Sequence, residues 1–416
     1  MKSRWLCSIL ATVIGCCFAG ARKPPAESVK PAIGMTSKPI GKEIVQADNA
    51  FGFKLFSELF GQEPEENIFM SPTSIAMALS MAYNGAAGKT KAAMAKVLGI
   101  EGIKLSDVGM ANAALLAALR TADPKVQLEI ANSLWVRKGL GLSPKFVETN
   151  TEYYEAKVTE LDFADPEAPD IINGWVKEKT RDKIDRIAGT INPDDVLFLI
   201  NAVYFKGSWA EEFDTALTQK RDFHLSGGST IKHPMMSQSG DYKYYSAEGF
   251  QVVNLPYGEE RISMMVFLPA EESNLAAFVG KLNSENWNRW LDSMKVIKGD
   301  IVIPKFKLEY EKTLNDVLSE LDMKIAFDPA QADFSKMVLN PEKNPLFISQ
   351  VKHKSFVEVN EEGTEAAAVT SVVMTLSAAP QPEERFSMIV DRPFFFAIQD
   401  NETRAVLFTG AVSNPE

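Results

Sequence analysis

The chain predicts an α+β fold in one large domain, on three observations. Segments with helical periodicity dominate the first half and strand-like segments the second. No regular strand–helix–strand rhythm links them, which argues against a doubly wound sheet. No repeat or linker interrupts the chain after residue 45, and 45% hydrophobic residues suffice for a sizeable core.

The first helix is expected from Gln46, where Phe51, Leu55, Phe56, Leu59 and Phe60 share one face and Gly61 with Pro64 ends it. In "SPTSIAMALSMAYNG", Ser71 reads as N-cap, Pro72 as the first helical residue and Gly85 as terminator. Further helices are expected at 90–98, with Thr90 as cap, and at 144–155, 168–185, 284–292 and 311–322. Strands are expected at 126–136, 196–206, 262–268, 300–307, 347–360 and 393–411, the last divisible into two. In 347–360, "FISQVKHKSFVEVN", His353 shares a face with Phe347, Val351, Ser355, Val357 and Val359, so it points to the core and needs hydrogen-bond partners. Next comes "EEGTEAAAVTSVVM", which reads as a strand, then "TLSAAPQPEERF", which reads as an open loop.

All three cysteines, Cys7, Cys16 and Cys17, lie in the first seventeen residues, so the body has no disulfide framework and no cysteine metal site. Lys2 and Arg4 precede an uncharged run from Trp5 to Ala21, the layout of a signal peptide over 1–21. Within it "VIGC" resembles a bacterial lipobox with Cys16 as the lipidated residue; cleavage after Ala19 or Ala21 is the alternative. Residues 22–45, rich in proline and polar groups, read as a tether to a folded domain at 46–416. Export, to the periplasm or outside the cell, is therefore expected, with any membrane contact made only through this anchor. The net charge of −11 argues against nucleic acid as a partner.

Catalytic constellations are missing from the sequence. It has three histidines and no HExxH, and no GxSxG elbow. "GAAGKT" (85–90) has two residues between its glycines where a phosphate loop needs four, and reads better as a helix end and turn. "NET" (401–403) reads more simply as a hairpin turn than as a glycosylation acceptor. No enzyme activity, metal or cofactor is expected.

Five stretches carry a family likeness: "NIFMSPTSIAMALSMAYNGA" (67–86), "LINAVYFKGSWAEEF" (199–213), "FVEVNEEGTEAAA" (356–368), "DRPFFFAI" (391–398) and "LFTGAVSNP" (407–415). They resemble the signatures of the serpins, in serpin order, and with the lipobox they resemble the prokaryotic branch. The resemblance implies three β-sheets, eight or nine helices and a reactive loop displayed as bait for a serine or cysteine protease. It implies a monomeric suicide inhibitor that traps the acyl-enzyme when the cleaved loop enters the central sheet, or, alternatively, a non-inhibitory carrier or chaperone-like protein. Carried over, Glu361 and Gly363 start the hinge, and Thr364, Glu365, Ala366, Ala367 and Ala368 lead its insertion segment. The scissile bond falls at Ser377–Ala378, with Leu376 and Met374 as alternatives for the residue read by the protease. Ser71, Ser74, Asn201 and His353 match a polar cluster under the central sheet (the shutter). Trp209 matches the point of loop entry (the breach), and Lys305 would pair with Glu361.

Independently of the family, Thr364, Ala366, Ala368, Thr370, Val372, Met374 and Leu376 would share one face of a strand. All are small, uncharged or apolar, and no proline interrupts them, so this face can be buried.

Overall fold

The structure is a computed structural model that describes residues 41–247, 249–342, 345–364 and 384–416. The predicted signal peptide with Cys16, nearly all of the tether, and the residues Glu365, Ala366, Ala367, Ala368, Met374, Leu376, Ser377 and Ala378 lie outside the described residues.

Helix α1 (Lys42–Gln62) starts four residues before the predicted Gln46, because Ile44 and Val45 already lie on its buried face. The residues predicted to form that face, Phe51, Leu55, Phe56, Leu59 and Phe60, are all buried. After the short strand β1 (Ile68–Met70), Ser71 caps α2 (Pro72–Gly85) as expected, its hydroxyl accepting from the Ser74 N–H. All residues of α2 are buried, because the helix bridges two sheets. Thr90 is not a cap. It lies within α3 (Gly88–Leu98), and its hydroxyl accepts from the Asp333 N–H at 2.9 Å. Gly88, at φ +51°, makes the turn, and an Asp333 carboxylate oxygen lies 3.2 Å from where its Cβ would stand. A carboxylate at that point opposes phosphate binding, in agreement with the sequence reading.

Helix α4 (Leu105–Arg120) was not expected. Then come β2 (Val126–Arg137), α5 (Pro144–Tyr154), β3 (Lys157–Leu161) and α6 (Ala168–Lys179). The last stops short of the predicted residue 185, since Arg181 and Asp182 adopt positive φ. Next follow β4 (Leu197–Ser208), β5 (Gln219–His224), β6 (Thr230–Ala247), β7 (Phe250–Tyr257), β8 (Ile262–Pro269), α7 (Leu275–Val279) and α8 (Ser284–Asp292). The strand predicted at 300–307 is two strands, β9 (Lys295–Pro304) and β10 (Phe306–Thr313). They belong to different sheets, and the chain crosses over at Lys305. The helix predicted at 311–322 shrinks to α9 (Asn315–Leu318): its first residues finish β10, and Asp322 at φ +74° breaks its far end. Strands β11 (Gln350–Val359), β12 (Gly363–Thr364), β13 (Arg385–Ile389), β14 (Phe394–Asp400) and β15 (Val406–Val412) complete the chain. The predicted 393–411 is thus two strands.

The central sheet runs β10-β11-β4-β2-β3, with β12 added to β4. The second runs β1-β15-β14-β8-β7-β6-β9-β13, with β5 on β6. The third sheet expected, formed by β5, β9 and β13 around the start of β6, joins the second because β6 is long enough to pair with β5, β9 and β7 in turn. Aromatic contacts fill the space between sheets: Phe205 of the central sheet lies 5.6 Å from Phe408 of the second. A second apolar cluster, with Trp135, Ile172, Val176 and Phe198, seats α6 on the outer face of the central sheet.

Asp48 of α1 is buried with one carboxyl oxygen unpartnered, and burial pushes its pKa up to about 8. The folded state therefore holds a proton that the unfolded chain releases near its ordinary value of about 4, so stability falls as pH rises from about 4 to 8. Asp48→Asn is expected to unfold at a higher temperature than the parent at pH 8, the gap shrinking toward pH 4. Calorimetric scans across that range check the sign.

Candidate functional site

Two polar arrangements lie, one midway and one at the upper end, on the seam between β4 and β11. This pair is parallel, from Gln350↔Phe198 to Phe356↔Tyr204, whereas the outer neighbours β10 and β2 pair antiparallel. Parallel ladders are slightly weaker per residue, so the seam is the softer join.

Midway along it His353 faces Asn201. The imidazole Nδ1 lies 2.6 Å from Asn201 Oδ1, and its Nε2 lies 3.3 Å from the Ser71 N–H. An amide oxygen can only accept and an N–H can only donate, so the ring is neutral with its proton on Nδ1. The Asn201 amide nitrogen donates to Ser74 Oγ and, at 2.6 Å, to Asn132 Oδ1. Ser71, Ser74, Asn201 and His353, grouped by sequence, are thus one connected network tying α2 to both strands of the seam. Asn132 on β2 was missed; it lies at an inward-facing position of a strand already predicted, the signal that could have found it. The His353 ring is fully buried, which pushes its pKa down to about 3.

At the upper end of the seam the strands part. Above Tyr204, the edge of β4 is taken by β12, with Thr364 opposite Gly207 and Gly363 opposite Ser208, antiparallel to β4. Gly363 has φ +138°, and a Cβ there would lie 2.2 Å from the Gly207 carbonyl oxygen, so the approach requires glycine. Thr364 is fully buried, its hydroxyl 3.0 Å from that of Tyr257. Tyr257 stacks on Trp209 at 4.4 Å, and the Trp209 indole N–H donates to Asn360 O at 2.9 Å. Backbone N–H groups of Trp209 and Phe213 donate to Glu362 and Glu361. Trp209 therefore lies where 360–364 joins the sheet. Tyr257 and Phe213 were not foreseen.

Lys305 Nζ meets Glu361 Oε2 at 2.7 Å, as expected, and Thr218 donates to the other oxygen at 2.8 Å. Burial pushes the Glu361 carboxyl up, but these donors outweigh it and hold it below the usual range. The pair is too exposed at Lys305 to be worth much by Coulomb attraction alone; its effect is to fix Glu361 beside the breach. Of the other histidines, His233 contacts Lys305 O and His224 contacts Thr230. Among the described residues no three His, Cys, Asp or Glu side chains group as metal ligands. The Asn401 amide is engaged by Glu260 O and Ser263 within a hairpin turn.

A family model described as "Serpin (serine protease inhibitor)" matches residues 46–415. Serpin B8 of Homo sapiens is 38% identical over 380 residues, covering 90% of this chain and all of that protein. A serpin-like protein of Thermococcus kodakarensis is 38% identical over 378 residues, covering 90% of this chain and 86% of its own. Among solved structures, native tengpin, a thermophilic serpin, superposes with a TM-score of 0.82 at 33% identity, covering 89% of this chain and 94% of that one. Human thyroxine-binding globulin, solved with its hormone, gives a TM-score of 0.82 at 27% identity over 90% of this chain and 99% of its own.

His353→Ala is expected to destabilise the fold by about 1–3 kcal/mol for each buried partner left unsatisfied, Asn201 Oδ1 and the Ser71 N–H. Because the folded pKa is depressed, the histidine's contribution is complete above about 6.5 and is lost as pH falls toward 3. Denaturant titrations should show the gap between variant and parent narrowing from pH 7 to pH 4.

Proposed function

The chain belongs to the serpin family, and on that premise we propose that it is a suicide-substrate inhibitor of serine proteases that works by loop insertion. The observation that carries this reading is the pairing of Gly363 and Thr364 with β4 at the mouth of the β4–β11 seam. Gly363 and Thr364 lie at the edge of β4 along which the rest of the hinge would extend.

Continuing that register would bring Ala366 opposite Phe205, Ala368 opposite Val203 and Thr370 opposite Asn201. Each step would separate another pair of the parallel seam, and the His353–Asn201 bond would part midway. A strand antiparallel to β4 is antiparallel to β11 as well, so insertion replaces one parallel ladder with two antiparallel ones, the more stable kind per residue. The even-numbered residues from Thr364 to Leu376 would follow Thr364 to the buried face, and all are small, uncharged or apolar. Inserted, residues 364–376 would span roughly 43 Å at about 3.3 Å per residue, enough to carry a bound protease across the body.

In this mechanism the protease's serine attacks the carbonyl of Ser377, or of Leu376 or Met374, and the new amino terminus leaves. Insertion then separates the two ends before water completes the second step. The inhibitor itself supplies no catalytic group. The flanking residues Thr375 to Ala378 suit a protease accepting small or medium apolar side chains, and a cysteine protease is the secondary target class. The carrier reading draws support from the likeness to thyroxine-binding globulin. It is disfavoured by a hinge, "TEAAAVTSVV", without proline or bulky charge on its buried face. Export through residues 1–21 and anchoring at Cys16 complete the proposal, supported by Lys2, Arg4 and the uncharged run after them.

Incubation with a panel of serine proteases should give a band, stable in SDS, at the summed mass of inhibitor and enzyme. Mass spectrometry of the released C-terminal peptide fixes the bond. Thr364→Arg places a charge where Thr364 now lies fully buried beside Tyr257. It is expected to turn the protein into a substrate, cleaved without a trapped complex. Undiminished trapping by this variant would count against insertion.

A further inference from the structure

A cleft of about 190 Å³ lies between the two anchor points of segment 365–383. On one side are Trp209 and Phe213, which hold Glu361 and Glu362 where the chain leaves the sheet. On the other is Tyr242, whose ring packs 6.1 Å from Phe386, where the chain returns in β13. Val296, 68% exposed, completes an apolar wall.

The rim is acidic. Glu211, Asp241 and Glu260 line the cleft, all are exposed, and none takes part in an ion pair among the described residues. Among the described residues Lys243 is the one cation that lines it. The negative field reaches the Tyr242 hydroxyl, whose pKa is pushed up by burial and further by Glu211, Asp300 and Asp241. A second feature points to a ligand: Asn254 lines the cleft, is only 8% exposed, and its side-chain amide, which opens onto the cleft, makes no hydrogen bond among the described residues.

The volume is below the roughly 300–1,000 Å³ of small-molecule sites and suits one long side chain. Aromatic walls accept the stem and face of a guanidinium or ammonium group, the carboxylates its charge, and the Asn254 oxygen one of its N–H groups. The chain's own segment 365–383 is not the occupant by charge: it contains Glu365 and Glu383 and no lysine or arginine. We propose that this cleft receives a lysine or arginine from a surface loop of the protease that docks on segment 365–383, an inference that rests on the inhibitor reading above.

The test combines Glu211→Gln, Asp241→Asn and Glu260→Gln in the full chain and measures the association rate constant with pancreatic elastase, a cationic serine protease. At low salt the variant should be slower by about ten-fold or more and should lose most of the parent's salt dependence. The SDS-stable complex and the inhibition stoichiometry should be unchanged, because the hinge is untouched. Lys243→Glu, which adds a carboxylate to the same rim, should act in the opposite direction. An unchanged rate and salt slope in the triple variant, with trapping intact, would overturn the cleft assignment. If the parent traps no protease, the inhibitor reading fails instead. The cleft is then judged by binding of elastase whose catalytic serine is replaced by alanine: binding weakened by the triple variant supports it, and equal or absent binding overturns it.

Discussion

The hydrogen bond between His353 and Asn201 is the contact on which the rest of the arrangement depends. It crosses the parallel seam of the central sheet, and through Ser71, Ser74 and Asn132 it ties that seam to α2 and β2. Buried polar groups that are paired rigidify a core, and the same groups become costly when parted; here the Asn132 amide nitrogen has no partner among the described residues. A network here therefore ties the two strands of the seam to each other and to α2. The depressed pKa of His353 is part of this logic: a charged ring would place a donor against the Ser71 N–H.

The upper end of the seam has the opposite character. Trp209 and Tyr257 pack where β12 lies against β4, while β11 no longer pairs with β4 beyond Phe356. The sheet is thus held by a polar network at its middle and bears the two-residue strand β12 at its upper end. Glu361, held by Lys305 and Thr218, lies just before β12.

Much of this was legible in residues with a single physical reading. Ser71 followed by proline and an apolar helix could only be a cap, and alternation placed His353 toward the core. Errors fell where tertiary context decides. The run 300–307 looked like one strand, and nothing local reveals that the chain changes sheets at Lys305. Thr90 had the chemistry of a cap but is engaged by Asp333, more than two hundred residues away. Helix α4 escaped notice although its apolar spacing was available.

The sequence by itself determined the α+β class, the family likeness, the inward histidine and the small-residue face of 364–376, because alternation, capping and composition are local properties. Only the tertiary structure decided that Thr364 is already paired with β4, that Asn132 completes the network, and that an acidic cleft lies between the two loop anchors. Each depends on contacts between residues far apart in the chain, and sheet register, set by packing and not by local propensity, is what brings them together.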